Sequence, residues 1–128
     1  MSARAKTVLV VEDEAPIRMI VRMIVAEALI DAGFAIREAA HADEALALLE
    51  ASADQIDLLF TDVTMPGSMD GIELAHHVHE AWPQMAMIIA SGKPLPRNSE
   101  IPTGTHFIPK PYAVDEVVYQ IQTLVASD

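Results

Sequence analysis

The chain has 128 residues, which suits one domain around a single core, and its 52% hydrophobic content argues against disorder. With 19 acidic and 8 basic residues the formal net charge is −11, a poor match for nucleic acid and a better one for a partner or ligand that is cationic or brings cations. There is no cysteine, hence no disulfide framework and no thiol chemistry, which fits the cytoplasm. The longest apolar run falls well short of the roughly 18–20 residues of a membrane span. The basic start MSARAK leads into TVLVVEDE, where acids arrive too early for a signal peptide.

Residues 7–12, TVLVVE, form a continuous β-branched run, the pattern of a strand buried on both faces of a parallel sheet. Residues 16–32 predict a helix, with Pro16 near its start and Gly33 closing it. Residues 34–38, FAIRE, predict a second strand. Residues 42–52 predict a helix with acids early and Ala45, Leu46, Leu48 and Leu49 apolar. Residues 56–61, IDLLFT, predict a third strand that ends in Asp62, and the turn-rich loop MPGSMDG follows. A helix over 72–82 ends at Pro83, and residues 85–90, MAMIIA, predict a fourth strand. THFIP predicts a fifth, weaker strand. The last helix spans 113–126, with Val114, Val117, Val118, Ile121, Leu124 and Val125 on one face.

Strands alternating with helices predict an α/β fold, a doubly wound parallel sheet covered on both sides, and right-handed crossovers leave few topologies. No repeat or linker divides residues 1–128, which read as a single domain. One stretch breaks the alternation. Residues 91–112, SGKPLPRNSEIPTGTHFIPKPY, hold Pro94, Pro96, Pro102, Pro109 and Pro111, and leave no window for an amphipathic helix between the fourth and fifth strands.

In an open parallel sheet, ligands bind beyond the carboxyl ends of the strands. The residues there are Glu12 and Asp13 after the first strand, Asp62 after the third, Ser91 after the fourth and Lys110 after the fifth. Taken singly, each has an ordinary reading as a helix cap, a turn residue or a surface lysine. Together, three carboxylates repel one another unless a cation is present. Hard oxygen ligands of this kind suit Mg²⁺. With an ammonium and a hydroxyl beside the metal, the set can hold a phosphoryl group, and a carboxylate can accept it as an aspartyl-phosphate.

The pieces VLVVEDE (8–14), LLFTDVTMPGSMDG (58–71), IIASG (88–92) and FIPKP (107–111) resemble, in order and spacing, the response-regulator receiver domain of two-component signalling. The resemblance covers essentially the whole chain. It implies a flavodoxin-like, five-stranded sheet of strand order 2-1-3-4-5. It implies that Asp62 is the phosphoacceptor, that Asp13 binds Mg²⁺ directly, that Glu12 holds it through water, and that the backbone carbonyl of Thr64 completes the ligands. Ser91 and Phe107 stand at the positions of the family's switch residues, and Lys110 at that of its phosphoryl-contacting lysine, before a cis peptide to Pro111. Met65, Pro66 and Gly67 shape the loop, which is one residue longer than commoner forms. The acidic pair is Glu-Asp where many relatives have Asp-Asp.

The implied partners are a sensor histidine kinase or a histidine phosphotransfer protein, and a further downstream protein. The implied role is signalling, not enzyme catalysis beyond the chain's own phosphorylation and dephosphorylation. Phosphate-sink and unphosphorylated scaffold roles are alternatives, and a phosphatase-like enzyme fits less well, because such enzymes carry DxD after the first strand whereas Asp62 follows the third and the residue two after it is Thr64. No output module follows the last helix, so output is expected through protein contact or onward transfer, without nucleic acid or membrane. Relatives carry a fourth helix where the prolines lie. Its expected loss, or reduction to one turn within 93–103, would leave a monomer or a weak dimer that does not use that face. Met19, Met23 and Ile30 form a second apolar stripe on the helix over 16–32, and HHVHE (76–80) carries histidines at helical spacing.

Overall fold

The computed structural model describes residues 6–11, 27, 30–31, 33–63, 69–91, 102, 104–109 and 114–125. Five strands are present: β1 (Thr7–Val11), β2 (Ala35–Ala39), β3 (Leu58–Asp62), β4 (Ala86–Ser91) and β5 (His106–Pro109). They form one parallel sheet in the order β2-β1-β3-β4-β5, as the resemblance implied. The described helices are α1 (Ala42–Ser52), followed by a single 3₁₀ turn over Ala53–Gln55, then α2 (Gly71–Ala81) and α3 (Val114–Val125). Glu27, Ile30 and Asp31 are also helical, in line with the helix read over 16–32.

Side-chain alternation along the strands sorts the core into two layers. Leu9, Val11, Leu59, Met87 and Ile89 point to the layer shared with Ala45 and Leu49 of α1 and Leu74, Ala75 and Val78 of α2. Val8, Val10, Leu58, Phe60, Ile88, Ala90 and Ile108 point to the opposite layer, closed by Val117, Ile121 and Val125 of α3. Every residue of β1 and β3 is buried, which is why both runs read as continuous and not alternating. On the edge strand β2 only Ala39 is buried.

Register is fixed at the amino edge. Thr7 N donates to Asp57 Oδ2 at 2.8 Å, and Asp57 N donates to Thr7 O at 2.9 Å. Ala35 N donates to Lys6 O at 2.8 Å, which sets β2 against β1. This clamp explains why β3 starts at Leu58 and not at the predicted residue 56: Ile56 N closes the 3₁₀ turn on Ala53 O at 3.2 Å, and Asp57 is engaged with Thr7. A similar turn delays β5 by one residue. Gly104 takes φ 86° and Thr105 N donates to Pro102 O at 3.1 Å.

Helix starts are capped by side chains. Asp70 Oδ1 accepts from Glu73 N at 2.9 Å while Asp70 N donates to Glu73 Oε1 at 3.1 Å, a reciprocal capping box at the start of α2. At α1, His41 Nδ1 accepts from Glu44 N at 3.2 Å, and Ala40 N donates to Glu44 Oε1 at 2.7 Å. The expected loss of a helix within 93–103 lies outside the described residues apart from Pro102. No helix among the described residues is long and apolar enough to cross a membrane.

Two substitutions on α2 separate packing from capping. Leu74→Ala empties a fully buried site between α2 and the sheet and is expected to cost about 3 kcal/mol. Asp70→Ala removes only the cap and is expected to cost about 1 kcal/mol. Urea unfolding midpoints at unchanged m-value measure both; equal losses would contradict this division.

Candidate functional site at the carboxyl edge of the sheet

Asp62 is the last residue of β3, the central strand, between β1 and β4. It is 8% exposed and is the only buried ionisable side chain among the described residues. Removing a carboxylate from water is costly unless hydrogen bonds or a cation compensate.

The neighbouring strand ends surround it. β1 ends at Val11, paired with Thr61, and Glu12 and Asp13 are the next two residues in sequence. Asp62 pairs with Ala90, and β4 ends one residue later at Ser91, which pairs with Pro109. Lys110 follows Pro109 in sequence. The sheet order thus brings together the strand ends to which the sequence assigned all five chemical groups. Of those groups, Asp62 and the backbone of Ser91 lie within the described residues; Glu12, Asp13, Thr64 and Lys110 lie outside them, as do Met65, Pro66, Gly67 and the Lys110–Pro111 peptide.

Phe107 lies on β5, paired with Ile89 and half-buried. Its neighbour Ile108 is fully buried on the α3 side, so the alternation of the strand turns Phe107 to the other face.

Two residues that the sequence reading passed over shape the peptide of Asp62. Thr61, with no exposed surface, donates its hydroxyl to the carbonyl oxygen of Asp62 at 3.0 Å. Gly71, the first residue of α2, lies against the same peptide. A Cβ there would fall on the Asp62 carbonyl oxygen, 2.8 Å from the carbonyl carbon and 2.9 Å from Val63 Cα. Gly71 N also donates to Val63 O at 2.8 Å, and Val63 N donates to Ala90 O at 3.0 Å. The available signal was a glycine, a poor helix former, in the first turn of a helix, a position that often marks close backbone approach.

Elsewhere, His76, His77 and Glu80 are exposed on α2, and no group of three metal-ligating side chains occurs among the described residues. Ile30 of the second apolar stripe is 60% exposed, while Met19 and Met23 lie outside the described residues. A cavity of about 590 Å³, lined in part by Asp54, Trp82 and Met85, opens at the amino ends of β3 and β4. It is at the opposite edge from Asp62. The carboxyl edge is a rim of strand ends, so its chemistry does not coincide with that cavity.

The family model described as the response regulator receiver domain matches residues 8–122. The chain is 38% identical over 122 residues to the transcriptional regulatory protein ResD of Bacillus subtilis, across 92% of this chain and 47% of ResD. It is 30% identical over 124 residues to the response regulator receiver protein CpdR of Brucella abortus, across 94% of this chain and 97% of CpdR. The solved receiver domain of the hybrid histidine kinase CckA matches with TM-score 0.75 at 30% identity, over 93% of this chain and 98% of that one. The chain spans about half of ResD and 12% of the sensor kinase CckA of Brucella abortus. A buried aspartate ending the central strand of a 2-1-3-4-5 parallel sheet and a family match across nearly the whole length agree: the chain belongs to the response regulator receiver domain family.

Proposed function

We propose that Asp62 accepts a phosphoryl group from a phosphohistidine partner, and that the chain, as a single domain over 1–128, passes this signal on by protein contact or onward transfer. The observation that carries this reading is the burial of the Asp62 carboxylate at the carboxyl end of the central strand, beside the strand ends that lead to Glu12–Asp13, Ser91 and Lys110.

A carboxylate oxygen of Asp62 attacks phosphorus, the P–N bond of the phosphohistidine breaks, and the imidazole leaves with the electron pair. Lys110 places its ammonium against a phosphoryl oxygen, where it offsets charge in the transfer. Ser91 donates its hydroxyl to another phosphoryl oxygen, and Phe107 changes rotamer with it, altering the surface around β4 and β5. The donor set fits Mg²⁺, being hard oxygen throughout: Asp13, Asp62 and the Thr64 carbonyl would hold it, with Glu12 acting through water. The carbonyls of Asp62 and Val63 are engaged by Thr61 and Gly71, and that of Thr64 is the next in sequence. Mg²⁺, when bound, supplies charge neutralisation between the carboxylates and the phosphoryl group.

The likeness to CpdR and to a receiver domain of a hybrid histidine kinase supports a sensor kinase or a histidine phosphotransfer protein as donor. A cytoplasmic setting follows from that partnership and agrees with the absence of cysteine.

Incubation with acetyl phosphate and Mg²⁺ is expected to add the mass of one phosphoryl group, read on the intact protein. Asp62→Asn is expected to add none; an adduct on that variant would place the acceptor elsewhere. Asp13→Asn is expected to raise the Mg²⁺ concentration giving half-maximal phosphorylation by at least about tenfold. An unchanged Mg²⁺ titration would remove Asp13 from the ligand set.

A further inference from the structure

With Asp62 taken as the phosphoacceptor, we infer that Thr61 and Gly71 are positioning residues for phosphoryl transfer: they grip the acceptor's own peptide from two sides and so set where its carboxylate points.

Thr61 occupies a central-strand position whose register partners are Val11 and Ile89, both in the apolar layer beneath α1 and α2. Valine would match it in shape there without burying a hydroxyl, which has a cost unless hydrogen-bonded. The threonine hydroxyl donates to the carbonyl oxygen of Asp62 at 3.0 Å. Gly71 approaches that same carbonyl from the start of α2, closely enough to exclude any side chain, and its N–H holds the following carbonyl, that of Val63. On the far side, Val63 N is tied to Ala90 O of β4 at 3.0 Å.

Neither support can yield easily. Leu74, Ala75 and Val78 anchor α2 in the core, and the Asp70–Glu73 capping box fixes its first turn. β3 is buried along its whole length. Rotation of the Asp62 peptide, the motion that would swing the carboxylate, is therefore opposed by a hydrogen bond at its carbonyl and by the backbone of Gly71. In-line phosphoryl transfer depends on the direction of the attacking oxygen, and small misplacements cost rate more than binding.

The test compares Thr61→Val, Thr61→Ser and Gly71→Ala with wild type for urea stability and for the rate of phosphoryl adduct formation from acetyl phosphate at saturating Mg²⁺. Thr61→Val is expected to fold and to react about tenfold more slowly, with an unchanged half-saturating Mg²⁺ concentration. Thr61→Ser, which keeps the hydroxyl, is expected to restore the rate to within about twofold. Gly71→Ala is expected to slow the reaction as well; if it does not fold, the two Thr61 variants decide. A wild-type rate in folded Thr61→Val, or a serine variant as slow as the valine one, overturns the inference while leaving Asp62 as acceptor. A wild type that takes up no phosphoryl group overturns the acceptor reading and this one with it.

Discussion

The contact between the first residue of α2 and the peptide of Asp62 ties the packing of the domain to its chemical edge. A helix start pressed onto a strand end needs a residue with no Cβ, and Gly71 supplies it. The helix behind it cannot withdraw, because three of its residues are fully buried against the sheet. The strand in front cannot shift, because both of its faces are buried. Core packing on both sides of one peptide is thereby converted into a fixed direction for one carboxylate.

The two edges of the sheet divide the work. At the amino edge, Asp57 and Thr7 exchange hydrogen bonds that lock β1 and β3 in register. At the carboxyl edge, the same register delivers Asp62 beside Ala90 and one residue from Ser91. A slip of one residue would exchange the two core layers, since alternate residues of β1, β3 and β4 belong to different ones. The hydrophobic pattern therefore protects the geometry of the polar edge.

The loop after Asp62 is anchored at both ends. Val63 is bonded to Ala90 and Gly71, and Asp70 is closed by its capping box with Glu73.

Most of the fold was legible in the sequence, because it rests on local signals. Continuous apolar runs marked β1, β3 and β4; the 3.6-residue spacing of Val117, Ile121 and Val125 marked the buried face of α3. Strand ends fell within two residues of their predicted places; β2 and β4 each lie one residue later than predicted, and the late starts of β3 and β5 trace to a side-chain clamp and a turn that no periodicity encodes. The sequence pointed to Asp62 not singly but through its company, because Glu12, Asp13, Ser91 and Lys110 fall at the ends of the strands that a parallel sheet brings beside it. Tertiary structure alone decided that Asp62 is buried and that Thr61 and Gly71 hold its peptide. Those facts depend on how closely α2 approaches β3, and that distance is a property of two packed elements that neither segment carries by itself.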